Sequence, residues 1–180
     1  MTPDSAELTP FQTVGPFFEV ALPAPGRHRI DRGTAPTVRI EGTVRDGAGH
    51  PVDDALIETW QADQEGRYDR TDWDGYGWMP TDGDGCFALD TVLPGQVPLP
   101  DREGTLQAPH LLVGVLARGI LTRLVTRIYF EGQPSNATDP VLLLVPEARR
   151  STLIARRLGE TQFRFDIVLQ GVNETVFFDV

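Results

Sequence analysis

The stretch Ala108-Pro109-His110-Leu111-Leu112-Val113-Gly114-Val115-Leu116-Ala117-Arg118 decides the fold. Side chains alternate across a β-strand, so His110, Leu112, Gly114, Leu116 and Arg118 share one face while Leu111, Val113, Val115 and Ala117 share the other. Both faces are largely apolar, which predicts an interior strand covered on both sides. Its two ends break the pattern. An imidazole opens the strand and a guanidinium closes it, and a lone histidine becomes a metal ligand only where other donors join it.

Strand signals continue on either side of this stretch. Val38–Val44 and Ala55–Ala62 alternate, Cys86–Val92 runs to the Pro94-Gly95 break, and Leu124–Phe130 sets Thr126, Ile128 and Phe130 against Arg127 and Tyr129. Phe163–Leu169 and Thr175–Val180 read as closing strands. Between Asp69 and Gly85 the aspartates, glycines and tryptophans predict a long loop. That loop lacks the closing glutamate of an EF-hand, so its Asp-Gly pairs read as turns. Glu147–Leu158 carries helix formers with apolar residues at helical spacing and Gly159 as a stop, which predicts one short helix. Short strands joined by turns with one brief helix predict an all-β protein, an antiparallel β-sandwich. The expected organisation is a single domain over residues 1–180, with residues 1–24 as an extended N-terminal arm. The arm cannot bury its own phenylalanines and must lie on its own body or on a partner.

The chain has 180 residues, with 16 basic against 26 acidic side chains and a net charge of −10, which argues against binding a phosphate backbone. The single cysteine, Cys86, excludes an internal disulfide, and there is neither a signal-like apolar run nor a membrane-length one, so the expected location is the cytoplasm, with no nucleic-acid or membrane partner. The histidines are His28, His50 and His110, and the tyrosines Tyr68, Tyr76 and Tyr129. No Gly-x-Ser-x-Gly elbow, clustered zinc ligands, blue-copper set, phosphate loop or dinucleotide fingerprint is present. Taken alone, these residues assemble no metal centre.

Several segments together resemble one family. Glu58-Thr59-Trp60-Gln61-Ala62-Asp63, Gly66-Arg67-Tyr68, Pro94-Gly95 and Ala108-Pro109-His110 are similar to the intradiol ring-cleaving dioxygenases. The arm Gln12–Phe17, Ala117-Arg118-Gly119, Thr126–Phe130 and Glu174–Asp179 extend the likeness over nearly the whole chain. The family's ferric ion is held by two tyrosinates and two histidines. The resemblance puts Tyr68 and His110 at two of these positions, but Val97 stands at the second tyrosine and Leu112 at the second histidine. Two phenolates stabilise iron as Fe(III), and two hydrocarbons in a set of four remove that hold, so the chain itself is expected to carry no metal.

Some members of the family pair an iron-bearing β subunit with a homologous α subunit that has lost the ligands, and this chain resembles the α type. The resemblance then implies O₂-dependent opening of 3,4-dihydroxybenzoate to 3-carboxy-cis,cis-muconate by a hetero-oligomer whose Fe(III) sits on the partner. It implies that Thr13, Gly15, Pro16 and Arg118 form part of the wall of the partner's substrate pocket. Arg118 suits the ring carboxylate, and the Gly15-Pro16 backbone suits close approach to a flat ring. Tyr68 and His110 read as a retained hydrogen-bonded pair. The alternative is a non-enzymatic, transthyretin-like binding or scaffolding module.

Overall fold

The strand that opens the sequence analysis is observed as β8 (His110–Leu116), at the heart of a sheet whose other members are β1 (Arg29–Ile30), β2 (Thr37–Arg45), β3 (Leu56–Trp60), β4 (Tyr76–Pro80), β5 (Cys86–Val92), β9 (Leu124–Phe130), β10 (Ile154–Arg157), β11 (Gln162–Arg164) and β12 (Ile167–Val168). A separate two-stranded ribbon pairs β6 (Val97–Pro98) with β7 (Leu106–Gln107). The computed structural model describes residues 10–15, 18, 26–30, 37–100 and 102–179. Among the described residues no helix is long and apolar enough to cross a membrane.

The strand order is β1-β5-β2-β11-β10-β9-β8-β3-β4, with β12 added beside β2. The β3–β4, β3–β8, β8–β9, β2–β5 and β10–β11 pairs are antiparallel. However, β1–β5, β9–β10, β2–β11 and β2–β12 are parallel. The architecture is therefore all-β, with a mixed, nearly closed, barrel-like sheet in place of the expected antiparallel sandwich. Strand β10 makes the difference. Its first half pairs Ile154 and Ala155 with Tyr129 and Phe130, and its second half pairs Arg156 and Arg157 with Arg164 and Phe163, so one four-residue strand joins the two halves. At the opposite seam Arg27 bridges Trp78 of β4, two residues before β1 joins β5.

That junction also corrects the predicted helix. An α-helix, α1 (Glu147–Arg150), and one 3₁₀ turn (Ser151–Leu153) form where a helix to Leu158 is expected. From Ile154 onward, ladders with β9 and then β11 hold the segment extended, and tertiary pairing overrides local propensity. Tyr76–Pro80, expected as loop, is a strand paired residue for residue with β3. The segment 175–180, expected as a strand, makes one described bridge, Val125 to Phe178.

The alternation in β8 sets the core. Leu111, Val113 and Val115 point inward with Ile57, Met79 and Ile128, and meet Ile40, Leu89, Phe163 and Ile167 from the other half. Phe130 and Phe163 make an edge-on ring contact at 5.1 Å across the junction. Each such aliphatic or aromatic side chain contributes about 1.5–3 kcal/mol through burial. The outer face of the same strands is free to carry His110, Leu112 and Gly114, and this is where the sites lie.

Candidate functional site

The outer face of β8 has two ends. At the first, Ala108 O accepts a hydrogen bond from His110 Nδ1 at 2.7 Å. A carbonyl can only accept, so Nδ1 carries the proton and Nε2 keeps the ring's lone pair. Burial, and then the Arg127 guanidinium, depress the imidazole pKa to about 4, so the ring is neutral at pH 7. Its ring neighbour is Tyr129, the residue opposite it on β9, at 5.7 Å.

Asp139 anchors this end. It has no exposed surface, and its carboxylate accepts from Ala108 N (2.7 Å), Tyr129 OH (3.0 Å), Val141 N (3.0 Å) and Leu142 N (2.7 Å). One side chain therefore holds the mouth of β8, the end of β9 and the Leu142–Leu144 3₁₀ turn together. Sequence reasoning missed it. The available signal was Asp139-Pro140 ahead of an apolar run, since Asx side chains readily bond backbone N–H groups just downstream.

Tyr68 comes to the same face by way of a tight loop. Asp63 accepts from the backbone N–H of Glu65 and Arg67, both at 2.9 Å. Burial alone would raise the Asp63 pKa, but those N–H groups and the Arg67 side chain outweigh it and hold the carboxyl below its ordinary value. Gly66 has φ +78°, and a Cβ there would lie 1.9 Å from Gln96 O, so only glycine lets this loop rest against the residue before Val97. Tyr68 then folds back over Trp60, with ring centroids 6.0 Å apart and planes within 7°. Burial raises its phenol pKa, and the Arg127 charge opposes that rise, so the phenol is neutral at pH 7.

Trp60, Leu112 and Arg127 occupy successive cross-strand positions on β3, β8 and β9. Arg127 Nη1 donates to Gln107 Oε1 at 2.8 Å and to Tyr129 OH at 3.2 Å. Gln107 in turn faces Val97 across the β6–β7 ribbon. The structure thus gathers Tyr68, Val97, His110 and Leu112 in one neighbourhood, with a fixed guanidinium beside them. One phenol and one imidazole, with hydrocarbons at the other two positions and a cation beside them, are a poor fit to a ferric ion, which is held by several anionic oxygen donors. Among the described residues no three His, Cys, Asp or Glu side chains converge on a point. The expected Tyr68–His110 hydrogen bond is absent among the described residues. Each side chain instead has its own partner, Trp60 and Ala108 O respectively.

At the second end the chain is open and charged. Arg118 lies eight residues beyond His110, about 26 Å at the strand's rise. Its Nε is 2.9 Å from Asp54 Oδ2, with the arginine side chain 59% exposed and the carboxylate 16% exposed. Val14 of the arm bridges the Arg118 backbone in parallel, and Gly119 N donates to Thr13 Oγ1 at 2.8 Å. Of the residues proposed for this end, Thr13 and Arg118 are brought together, and Gly15 follows Val14 directly with open space around its Cα. Pro16 lies outside the described residues.

Between the two ends, Glu58 accepts from Tyr76 OH (2.9 Å) and Arg123 Nε (2.7 Å). A Cβ on Gly114 would come within 2.3 Å of the Arg123 guanidinium, so the glycine gives that side chain its bed.

The family described as "Dioxygenase" matches residues 15–171. The chain is 38% identical to the protocatechuate 3,4-dioxygenase alpha chain of Burkholderia cepacia over 96% of its own length and 97% of that protein's. It is 35% identical to the protocatechuate 3,4-dioxygenase beta chain of the same organism, over 76% and 65% of the respective lengths. Among solved structures, the dioxygenase domain of a dioxygenase–carbohydrate-binding fusion from Streptomyces sp. SirexAA-E superposes with a TM-score of 0.65 and 31% identity, covering 92% of this chain and all of that one. With a family match across most of its length and end-to-end likeness to an alpha chain, the chain belongs to the intradiol ring-cleaving dioxygenase family.

Proposed function

We propose that this chain is the iron-free α subunit of a protocatechuate 3,4-dioxygenase. In complex with an iron-bearing β subunit it opens 3,4-dihydroxybenzoate between the two hydroxyl-bearing carbons. Both atoms of O₂ enter the product, 3-carboxy-cis,cis-muconate, in the β-ketoadipate route of aromatic catabolism. The observation that carries this reading is the nearly full-length similarity to a protein named as an alpha chain, whose organism also has a named beta chain.

In this reading the Fe(III) on the partner supplies the oxidative chemistry, and this chain supplies part of the wall around the substrate. The ring carboxylate of the substrate is anionic at neutral pH and lies away from the hydroxyls that react. Arg118 offers a permanent cation with hydrogen-bond donors for that carboxylate. Thr13, Gly15 and Pro16 line the same wall, with the arm of residues 1–24 reaching the partner. Thr13 secures the arm to the turn after Arg118, and Gly15 lets backbone approach the ring without a side chain in the way. Val97 and Leu112 leave Tyr68 and His110 as structural remnants.

The test is co-expression with an iron-bearing β chain. The expected result is a coloured complex that consumes O₂ with 3,4-dihydroxybenzoate, while this chain purified alone holds no stoichiometric iron. Folded chains that fail to associate, or tightly bound stoichiometric Fe(III) in this chain alone, would contradict the reading.

A further inference from the structure

Strand β3 ends its ladder with β8 at the Leu56–Leu116 pair. Asp54 lies two residues before Leu56 and Arg118 two residues after Leu116, so the antiparallel register sets them opposite one another just past the end of the ladder. On the other flank β9 has already turned away, since its ladder with β8 begins at the Leu124–Val115 pair. The arm fills the slot it leaves, with Val14 against the Arg118 backbone. Arg118 is therefore held twice, through its main chain by the arm and through its side chain by Asp54.

The contact with Asp54 is one-sided. The carboxylate approaches Nε, at the inner edge of the guanidinium. Among the described residues the two terminal nitrogens take no protein acceptor, and the side chain is more than half exposed. An arginine ion-paired at Nε and open at its far edge presents two parallel N–H groups, the geometry that grips a carboxylate with both oxygens. The better-buried member of the pair is the carboxylate, which suits it to serve as the fixed point and the guanidinium as the arm it steers.

We propose that Asp54 is a positioning residue that aims Arg118 at the carboxylate of an aromatic acid bound at the partner's site. The inference rests on the reading of Arg118 given above. Without Asp54 the guanidinium samples several rotamers, and the substrate must immobilise it on binding. The consequence falls on substrate affinity and not on the oxidative step.

The experiment is steady-state kinetics of the complex with the β chain, using 3,4-dihydroxybenzoate and, as a substrate without the ring carboxylate, catechol. Asp54→Asn, nearly isosteric, is expected to raise KM for 3,4-dihydroxybenzoate about 3- to 10-fold with kcat within about 2-fold, and to leave KM for catechol unchanged. Arg118→Ala is expected to produce the larger shift on the same substrate, and Asp54→Asn added to it is expected to change nothing further. Asp54→Glu keeps the charge but moves it by one methylene, and is expected to raise KM in the same substrate-selective way; it carries the test if Asp54→Asn fails to assemble. An unchanged or lowered KM in the Asp54 variants, with Arg118→Ala still impaired, overturns the aiming role alone. Equal effects on both substrates also overturn it. No effect of Arg118→Ala overturns it together with the reading on which it rests.

Discussion

The two ends of β8 carry the same kind of feature, a polar residue on the outer face of an apolar strand, and they differ in every physical respect. At His110 the surroundings are dry, the imidazole is neutral and bonded to Ala108 O, and Asp139 ties three segments around it. At Arg118 the side chain is exposed, permanently charged and flanked by a stretch of arm. Where the imidazole is buried, neutral and bonded through Nδ1, and a buried carboxylate spends its oxygens on the surrounding backbone, what remains is chiefly structure. Where a cation keeps open donors at the surface, recognition remains possible. On the proposed function, the first end keeps the scaffold of a metal site and the far end of the same strand takes over the contact with substrate.

The sharpest way to break the comparison is at the first end's anchor. Asp139→Ala leaves the buried N–H groups of Ala108 and Leu142, and the half-buried one of Val141, without their acceptor, takes from the Tyr129 hydroxyl its carboxylate partner, and is expected to cost about 3–5 kcal/mol in denaturant unfolding. A loss below 1 kcal/mol would mean that this end is not the rigid block described.

Acid titration sharpens the contrast next. The folded pKa of His110, about 4, lies below the ordinary value of 6.5, so the unfolded chain takes up the proton first. The stability tied to the neutral ring is complete above pH 6.5 and is lost progressively as pH falls through that window to about 4. The loss amounts to about 3 kcal/mol, and His110→Gln is expected to flatten it. Equal acid sensitivity in wild type and variant would show that His110 does not titrate in this way.

At the second end, Arg118→Ala is expected to raise KM for 3,4-dihydroxybenzoate in the complex about 10- to 100-fold, from the loss of one charge-assisted contact, with the melting temperature of this chain nearly unchanged. The smallest effect is expected from Thr13→Ala. It removes one exposed acceptor for Gly119 N, worth about 0.5–1.5 kcal/mol, and is to be read as a several-fold weaker association between the two chains. Association unchanged by that substitution would detach the arm's anchoring from assembly.

Periodicity within single strands was legible in the sequence. Cys86–Val92 and Leu124–Phe130 appear with the bounds that alternation predicts, and the His110–Leu116 strand sits inside its predicted stretch. What connects the strands was not legible. Alternation says which face a residue takes but not whether its neighbour runs parallel, so the mixed sheet and the joining role of β10 had no local signature. Ile154 and Ala155 carry helix-compatible spacing and still become strand, because Tyr129 and Phe130 offer them a ladder. Tyr76–Pro80 was hidden by surrounding aspartates and glycines.

The candidate sites divide in the same way. Tyr68, Val97, His110, Leu112 and Arg118 could be named as site residues only through the family resemblance. Asp139 and Asp54 act through bonds that depend on register and on loops far away in the chain, and no pattern around either residue announces its partner.

On the proposed function, the Arg118 end of β8 acts in substrate binding and the Tyr68–His110 end does not. The most direct measurement is steady-state ring opening of 3,4-dihydroxybenzoate by complexes of the β chain with Arg118→Ala and, side by side, with Tyr68→Phe. A KM raised about 10-fold or more is expected for Arg118→Ala, and kinetics indistinguishable from wild type for Tyr68→Phe. Normal kinetics for Arg118→Ala, with activity lost on removing the Tyr68 hydroxyl, would contradict that assignment.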